Sequence, residues 1–196
     1  LSGAGICRAE RPQVTIEKYI DQVYELLSSD KTHEMTLQNK ELRQKLIKIA
    51  DEIFDFNIMA RMSLAVYWKA FDEQQHHEFV DLFTKLLETT YFAKIEQYLI
   101  EIENFNRQDI TITEEVLLSS KKAEVRSMIR YQNEYIPVDY RLIRSSSGWK
   151  VYDVSVEGVS LVRNYRDQFR DFMMKHSPEE LLEYLQEKIN KQEKVL

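Results

Sequence analysis

Apolar residues recur along this chain with two different periods, and the change between them organises the rest. Ile16, Ile20, Val23, Leu26 and Leu27 keep helical spacing, as a helix with one buried face must. Thr15 stands before them as an N-cap, with Val14 placed to staple against Tyr19, and Ser28, Ser29 and Asp30 end the run. Leu42, Leu46, Ile49, Ile53 and Phe54 form a second stripe, and the segment from Phe56 to Leu64 predicts a short helix capped by Asn57. A third long helix follows Asp72. Its stripe runs through Phe79, Leu82, Phe83, Leu86, Leu87, Thr90 and Tyr91, and Ile95, Tyr98 and Leu99 continue it.

After Asn104 the period falls to two. Residues 110 to 113 alternate, then Ala123, Val125, Ser127, Ile129 and Tyr131 alternate with charged or polar neighbours. Ile136, Val138, Tyr140 and Leu142 do the same, followed by Tyr152, Val154 and Val156. Short polar links join the runs, which reads as an antiparallel meander of four strands. Pro137 cannot donate to a ladder, so it predicts an edge or a bulge. From Ser160 the helical period returns. His176, Ser177 and Pro178 stop that helix and start a last one, with Ser177 as N-cap and Pro178 at its first position. Strands grouped between helices predict an α+β fold, a curved four-stranded antiparallel sheet packed against several helices.

One sheet face carries Ile112, Val125, Ile129, Val138, Tyr140, Leu142, Tyr152, Val154 and Val156. The helices offer Phe54, Phe56, Met59, Leu82, Phe83, Leu86, Phe92 and Ile95. These surfaces either fill one another or splay apart around a slot, and periodicity is the same in both cases.

Composition narrows the function. The 196 residues are 43% hydrophobic and 31% charged, enough for one domain with a sizeable core. A net charge of -6 provides no basic field for nucleic acid. No apolar run approaches the ~18–20 residues that cross a bilayer. Residues 1–13 read as a signal-peptide remnant or disordered leader, and residues 14–196 as a single domain. Cys7 is the one cysteine, so no intrachain disulfide forms. The residues before it lack the pattern that marks lipidation.

Candidate chemistry is sparse. His33, His76, His77 and His176 are scattered, and adjacent His76 and His77 diverge on a helix, so no metal site is expected. Asp153 falls on the strand face opposite Tyr152 and Val154, where it anchors a turn or pairs with a cation. Nucleophile-elbow, phosphate-loop, paired-cysteine and zinc-protease motifs are missing from the sequence. Glu179, Glu180, Glu183 and Glu187 fit a solvated helix face, while Arg163, Arg166 and Arg170 share a face that is either solvated or used for docking. The chain has four glycines, and two of them, Gly148 and Gly158, bracket the last strand, where the backbone needs them.

The segment from Gly148 to Phe169 carries a resemblance. Its matching residues are Trp149 to Asp153 (WKVYD), Glu157 to Ser160 (EGVS), Asn164 to Arg166 (NYR), and Gln168 with Phe169. The chain here resembles the MlaC, or toluene-tolerance, family of periplasmic phospholipid-binding proteins. Phe79 to Leu87 with Tyr91 looks like the family's long helix, and Val138 to Leu142 like its third strand. The resemblance covers about Ile16 to Leu185 and is weaker in the helical half.

It implies a non-enzymatic periplasmic carrier that needs no cofactor and holds glycerophospholipid chains in an apolar cavity between sheet and helices. It implies two docking partners, an outer-membrane lipoprotein complex and an inner-membrane ABC transporter bearing an MCE-domain ring, with only transient membrane proximity. Such a carrier serves outer-membrane lipid asymmetry. On this reading Phe83, Leu87, Val125, Ile129, Val138, Tyr140, Tyr152, Val154 and Val156 line the cavity. A hopanoid or other apolar ligand is a close variant. Two other classes stay open: an enzyme on a cone-shaped α+β scaffold, which needs a carboxylate or histidine on the apolar face, and an interaction module with a filled core.

Overall fold

Helices and strands follow one another in the order the periodicity predicts. The computed structural model describes residues 11–29, 40–92, 106–131 and 134–194. The leader to residue 10, His33, and the helical continuation through Ile95, Tyr98 and Leu99 lie outside them. Helix α1 spans Pro12–Ser29, α2 Lys40–Ile53, α3 Phe56–Leu64 and α4 Glu73–Leu87. A 3₁₀ segment, Ala65–Ala70, links α3 to α4, and a π-helical turn, Glu88–Phe92, ends α4. Strands β1 (Ile110–Ser119), β2 (Lys122–Tyr131), β3 (Glu134–Ser145), β4 (Gly148–Val156) and β5 (Val159–Ser160) follow, then α5 (Leu161–Met173) and α6 (Pro178–Glu193).

The helix starts show local and distant capping side by side. Ser160, Asp72 and Ser177 each accept a hydrogen bond from the backbone N–H three residues on, and Asp72 and Ser177 complete capping boxes. Two starts differ from expectation. Helix α1 begins at Pro12, so Thr15 is inside it, buried, with its hydroxyl donating to Arg11 O at 3.3 Å. The free N–H of Gln13 is met by Glu115 of β1 at 2.7 Å, which also holds Arg11 at 3.0 Å. For α3 the cap is Asp55, accepting from Ile58 N at 2.9 Å, while Asn57 is an exposed helical residue.

The sheet is a meander of five antiparallel strands in the order β1-β2-β3-β4-β5. The two residues of β5 are the strand that the period did not predict. They pair with β4 across a two-residue turn at Glu157 and Gly158, both at positive φ (51° and 79°), the geometry of a type I′ hairpin. Pro137 lies on the central strand β3, beyond the last β4 partner. Its carbonyl accepts from Glu157 N at 2.9 Å, so its missing N–H faces the place where β4 has already turned away.

Register explains a second departure. Tyr140 pairs with Val154 and Arg141 with Asp153, but Leu142 pairs with Val151. Tyr152 is the extra residue of a β-bulge, and a bulge shifts side-chain parity by one. Val151 and Val154 therefore share the face of Tyr140 and Leu142, while Tyr152 turns to the opposite side.

Two hydrophobic clusters result. The first joins α3, α4, α5 and α6 through Met59, Phe79, Phe83, Leu86, Tyr165, Phe169, Leu181 and Leu185, and Tyr152 belongs to it. The second joins α1 and the end of α2 to the sheet through Ile16, Ile53, Ala123, Val125, Leu142, Trp149 and Val151. Phe54 packs against both. It enters the sheet's margin through a parallel bridge to Val151, and Asp55 N donates to Val151 O at 2.8 Å.

Candidate functional site

An apolar cleft of about 360 Å³ opens where β4 meets the helices. Its sheet side is Val154 and Val156 of β4 with Val159 of β5. Its helical side is Ala50 and Phe54 from the end of α2, Phe56 and Met59 of α3, Leu87 of α4, and Leu161 and Asn164 of α5. Glu88 and Tyr91 enter from the π-turn. The volume lies near the low end of the ~300–1,000 Å³ of small-molecule sites. A π-turn widens the helix by one residue, a distortion that recurs at functional sites.

The walls are held by groups that leave few polar atoms facing inward. Behind Leu87, Phe79 and Phe83 stack on one another at 5.9 Å, and Tyr165 meets the Phe83 ring edge-on at 5.2 Å. Burial pushes the Tyr165 phenol well above its ordinary value, and it shares side-chain hydrogen bonds with Thr90 and Tyr91. The π-turn is tied to α6, because Thr89 meets Gln192 at 2.8 Å and Gln192 donates to Thr90 at 3.1 Å. On the sheet side Asp153 sits below the wall, 4% exposed. It accepts from Ser160 Oγ at 2.7 Å and Val162 N at 3.0 Å, and Arg141 approaches to 3.7 Å. Asp153 both anchors the turn and meets a cation, pointing away from the cleft.

The nine residues expected to line a cavity separate into groups. Leu87, Val154 and Val156 line the cleft. Phe83 lies behind it with no exposed surface. Val125 and Tyr140 occupy the expected sheet face, but Ile16, Tyr19 and Ile20 of α1 pack into the same cluster. Tyr140 is bonded to Ser127, and burial pushes its phenol up. Val138 and Ile129 share that face by register without reaching the cleft lining. Tyr152 is on the other side because of the bulge, its ring 5.8 Å from Lys122 Nζ.

Phe54, Phe56 and Met59 also line the cleft, and the apolar pattern had already aimed them at the sheet. Ala50, Glu88, Val159, Leu161 and Asn164 were missed, and Tyr91 reads as part of the α4 stripe. Tyr91 keeps the spacing of that stripe, while Glu88 follows Leu87 where the α-helix gives way to the π-turn.

Little in the site supports other chemistry. His76 stacks on Trp68 at 3.9 Å and its Nε2 lies 2.8 Å from Trp68 O, a structural arrangement. Among the described residues no group of three His, Cys, Asp or Glu is placed to hold a metal, and no helix is long and apolar enough to cross a membrane.

Comparison with known proteins identifies a family and a shared fold. Residues 17–187 match the family model described as MlaC protein. The toluene tolerance protein ttg2D of Pseudomonas putida is 33% identical over 73 residues, which cover 37% of this chain and 34% of that protein. That match therefore spans about a third of its relative's length. A phospholipid-binding protein of Ralstonia solanacearum, solved in complex with a phospholipid, superposes with a TM-score of 0.77. It is 23% identical, and the superposition covers 93% of this chain and 99% of that one, so the two share a fold.

Proposed function

This chain belongs to the MlaC family, and we propose that it is a periplasmic carrier that holds glycerophospholipid acyl chains in the cleft between β4 and the helices. The observation that carries the reading is the cleft itself, whose lining from Ala50 to Leu161 is almost entirely hydrocarbon. The family is one of non-enzymatic lipid carriers. The phospholipid in the Ralstonia solanacearum protein supports the ligand class.

The mechanism follows from transfer energetics. Each buried methylene is worth ~0.8 kcal/mol, so exposing a chain of about 16 carbons costs on the order of 12 kcal/mol. A dry apolar cleft removes most of that cost and leaves the headgroup at its mouth. Loading and unloading are then near-balanced exchanges between apolar sites. Direction comes from the partners, an outer-membrane lipoprotein complex and an inner-membrane MCE-type ABC transporter, because this sequence carries no nucleotide-binding motif. The ligand enters as cargo, and the single domain needs no cofactor.

Native mass spectrometry of gently purified protein, followed by organic extraction, tests the reading. Wild type is expected to carry phospholipid. Val154→Asp places a charge on the sheet wall and is expected to lose the lipid while keeping its far-ultraviolet circular dichroism and cooperative unfolding. Wild type that is always empty, or a folded Val154→Asp that retains normal lipid, overturns the proposal. An extracted hopanoid or other apolar molecule redirects it to that ligand.

A further inference from the structure

Among the described residues one carboxylate lines the mainly hydrocarbon cleft, beside Tyr91 and Asn164. Glu88 opens the π-turn, and its side chain is 14% exposed. Its ion-pair partner among the described residues is Lys85, at the long distance of 3.9 Å, and Lys85 lies closer to Glu193, at 3.3 Å. The remaining charges that act on Glu88 come from α2, where Arg43 attracts it and Asp51 repels it. A carboxylate has two oxygens and about four acceptor positions, and a distant, shared lysine leaves most of them to solvent or a ligand.

An acyl carrier has no need of a charge on its wall, and burying one is unfavourable unless a partner arrives. A cation that comes with the ligand would give this carboxylate a closer partner than Lys85. A diacyl lipid whose chains fill the cleft has one place for a cation, its headgroup. The surrounding charges are mixed: Lys85 and Arg43 suit a phosphate, and Glu88 with Asp51 suits an ammonium.

We infer that Glu88 is a specificity-determining residue, which accepts the headgroup ammonium of phosphatidylethanolamine-type lipids and disfavours anionic headgroups without an amine. A primary ammonium brings three N–H donors and makes a charge-assisted hydrogen bond. An anionic glycerol headgroup brings like charge to the same carboxylate. This inference rests on the carrier reading above and adds the lipid class to it.

Burial, the largest influence, raises the Glu88 pKa above the usual 4.5; Lys85 and Arg43 oppose this and Asp51 adds to it. Selectivity is therefore present above that raised pKa and fades as pH falls through it. Tyr91, the other titratable residue of the lining, belongs to the same π-turn. The lipid ammonium, like a lysine at ~10.4, stays charged throughout.

The test uses the full chain, delipidated and incubated with vesicles of equimolar phosphatidylethanolamine and phosphatidylglycerol with identical acyl chains. The protein is re-isolated and its lipids are measured by mass spectrometry. Wild type is expected to take the amine lipid by about fivefold, the scale of a partly exposed charge pair. Glu88→Gln, nearly isosteric, is expected to bring the ratio near one. Lowering the pH on wild type should do the same with no substitution. Equal uptake of both lipids by wild type, or an unchanged ratio in a folded Glu88→Gln, overturns the inference and leaves the carrier reading standing. Wild type that takes up neither lipid overturns both.

Discussion

Gly158 shows how one backbone angle sets the handover from β4 to α5. Its φ is +79°, and a Cβ built there meets no atom within 4 Å. The demand at this position is conformational, with no steric component. Gly158→Ala is therefore expected to cost roughly 1–2 kcal/mol, the penalty of a left-handed conformation for a residue with a Cβ. Gly158→Asn should cost less, because asparagine tolerates that region. Urea unfolding of both variants measures the difference, and equal losses would mean the turn is held by something else. Trp149 and Tyr165, the other conspicuous residues of this segment, are also structural. The first is 7% exposed beneath Arg144, whose guanidinium lies 5.8 Å from the ring, and the second is packed among Phe83 and Phe169. The plain residues Val154 and Val156 face the cleft.

At the scale of elements, Asp153 joins a strand to a helix. It receives the Ser160 hydroxyl and the Val162 amide while Ser160 receives Arg163 N at 3.0 Å, so one buried carboxylate fixes the first turn of α5 against β4. Asp153→Ala strands two buried donors and is expected to lose about 3 kcal/mol, on the scale of hydrogen bonds to a charged group. Denaturant titration reads the loss, and a change below about 1 kcal/mol, the worth of an ordinary neutral bond, would refute the anchoring role. Element identity was legible in the sequence wherever period and local chemistry agreed, as at Asp72, Ser160 and Ser177. It failed where the deciding partner is distant. Glu115, more than a hundred residues from Gln13, moves the start of α1. The bulge at Tyr152 reverses parity without altering composition, so an alternating pattern placed Tyr152 and Val154 on one face. The π-turn is silent for the same reason: Glu88 reads as an ordinary polar position until the extra residue rotates it. About half of the cleft wall was visible as apolar stripes, and Glu88 and Asn164 were not.

At the scale of the whole molecule, cargo and stability are linked. A ligand that binds the folded state alone at a hundred times its Kd stabilises by about 2.7 kcal/mol. For a chain of this size that shifts Tm by roughly 5–10 °C. Delipidated protein is expected to melt that far below reloaded protein in a calorimetric scan. Identical melting of the two, with lipid uptake confirmed, would place the lipid outside the folded core. The net charge of -6 acts at this scale too. It opposes prolonged residence on an anionic bilayer, which fits the carrier role proposed above.

The two hydrophobic clusters give the cleft a property that neither wall has alone. Met59 and Leu87 belong to the helical cluster, Val154 packs with the sheet cluster, and Phe54 spans both. The space is thus a seam between two blocks that are each packed within themselves. A void inside one core deprives its lining of contacts and weakens the fold in proportion to its size. A void at a seam leaves both blocks intact when the guest departs. In the carrier role proposed above, the empty leg of each cycle would then be made by a folded protein.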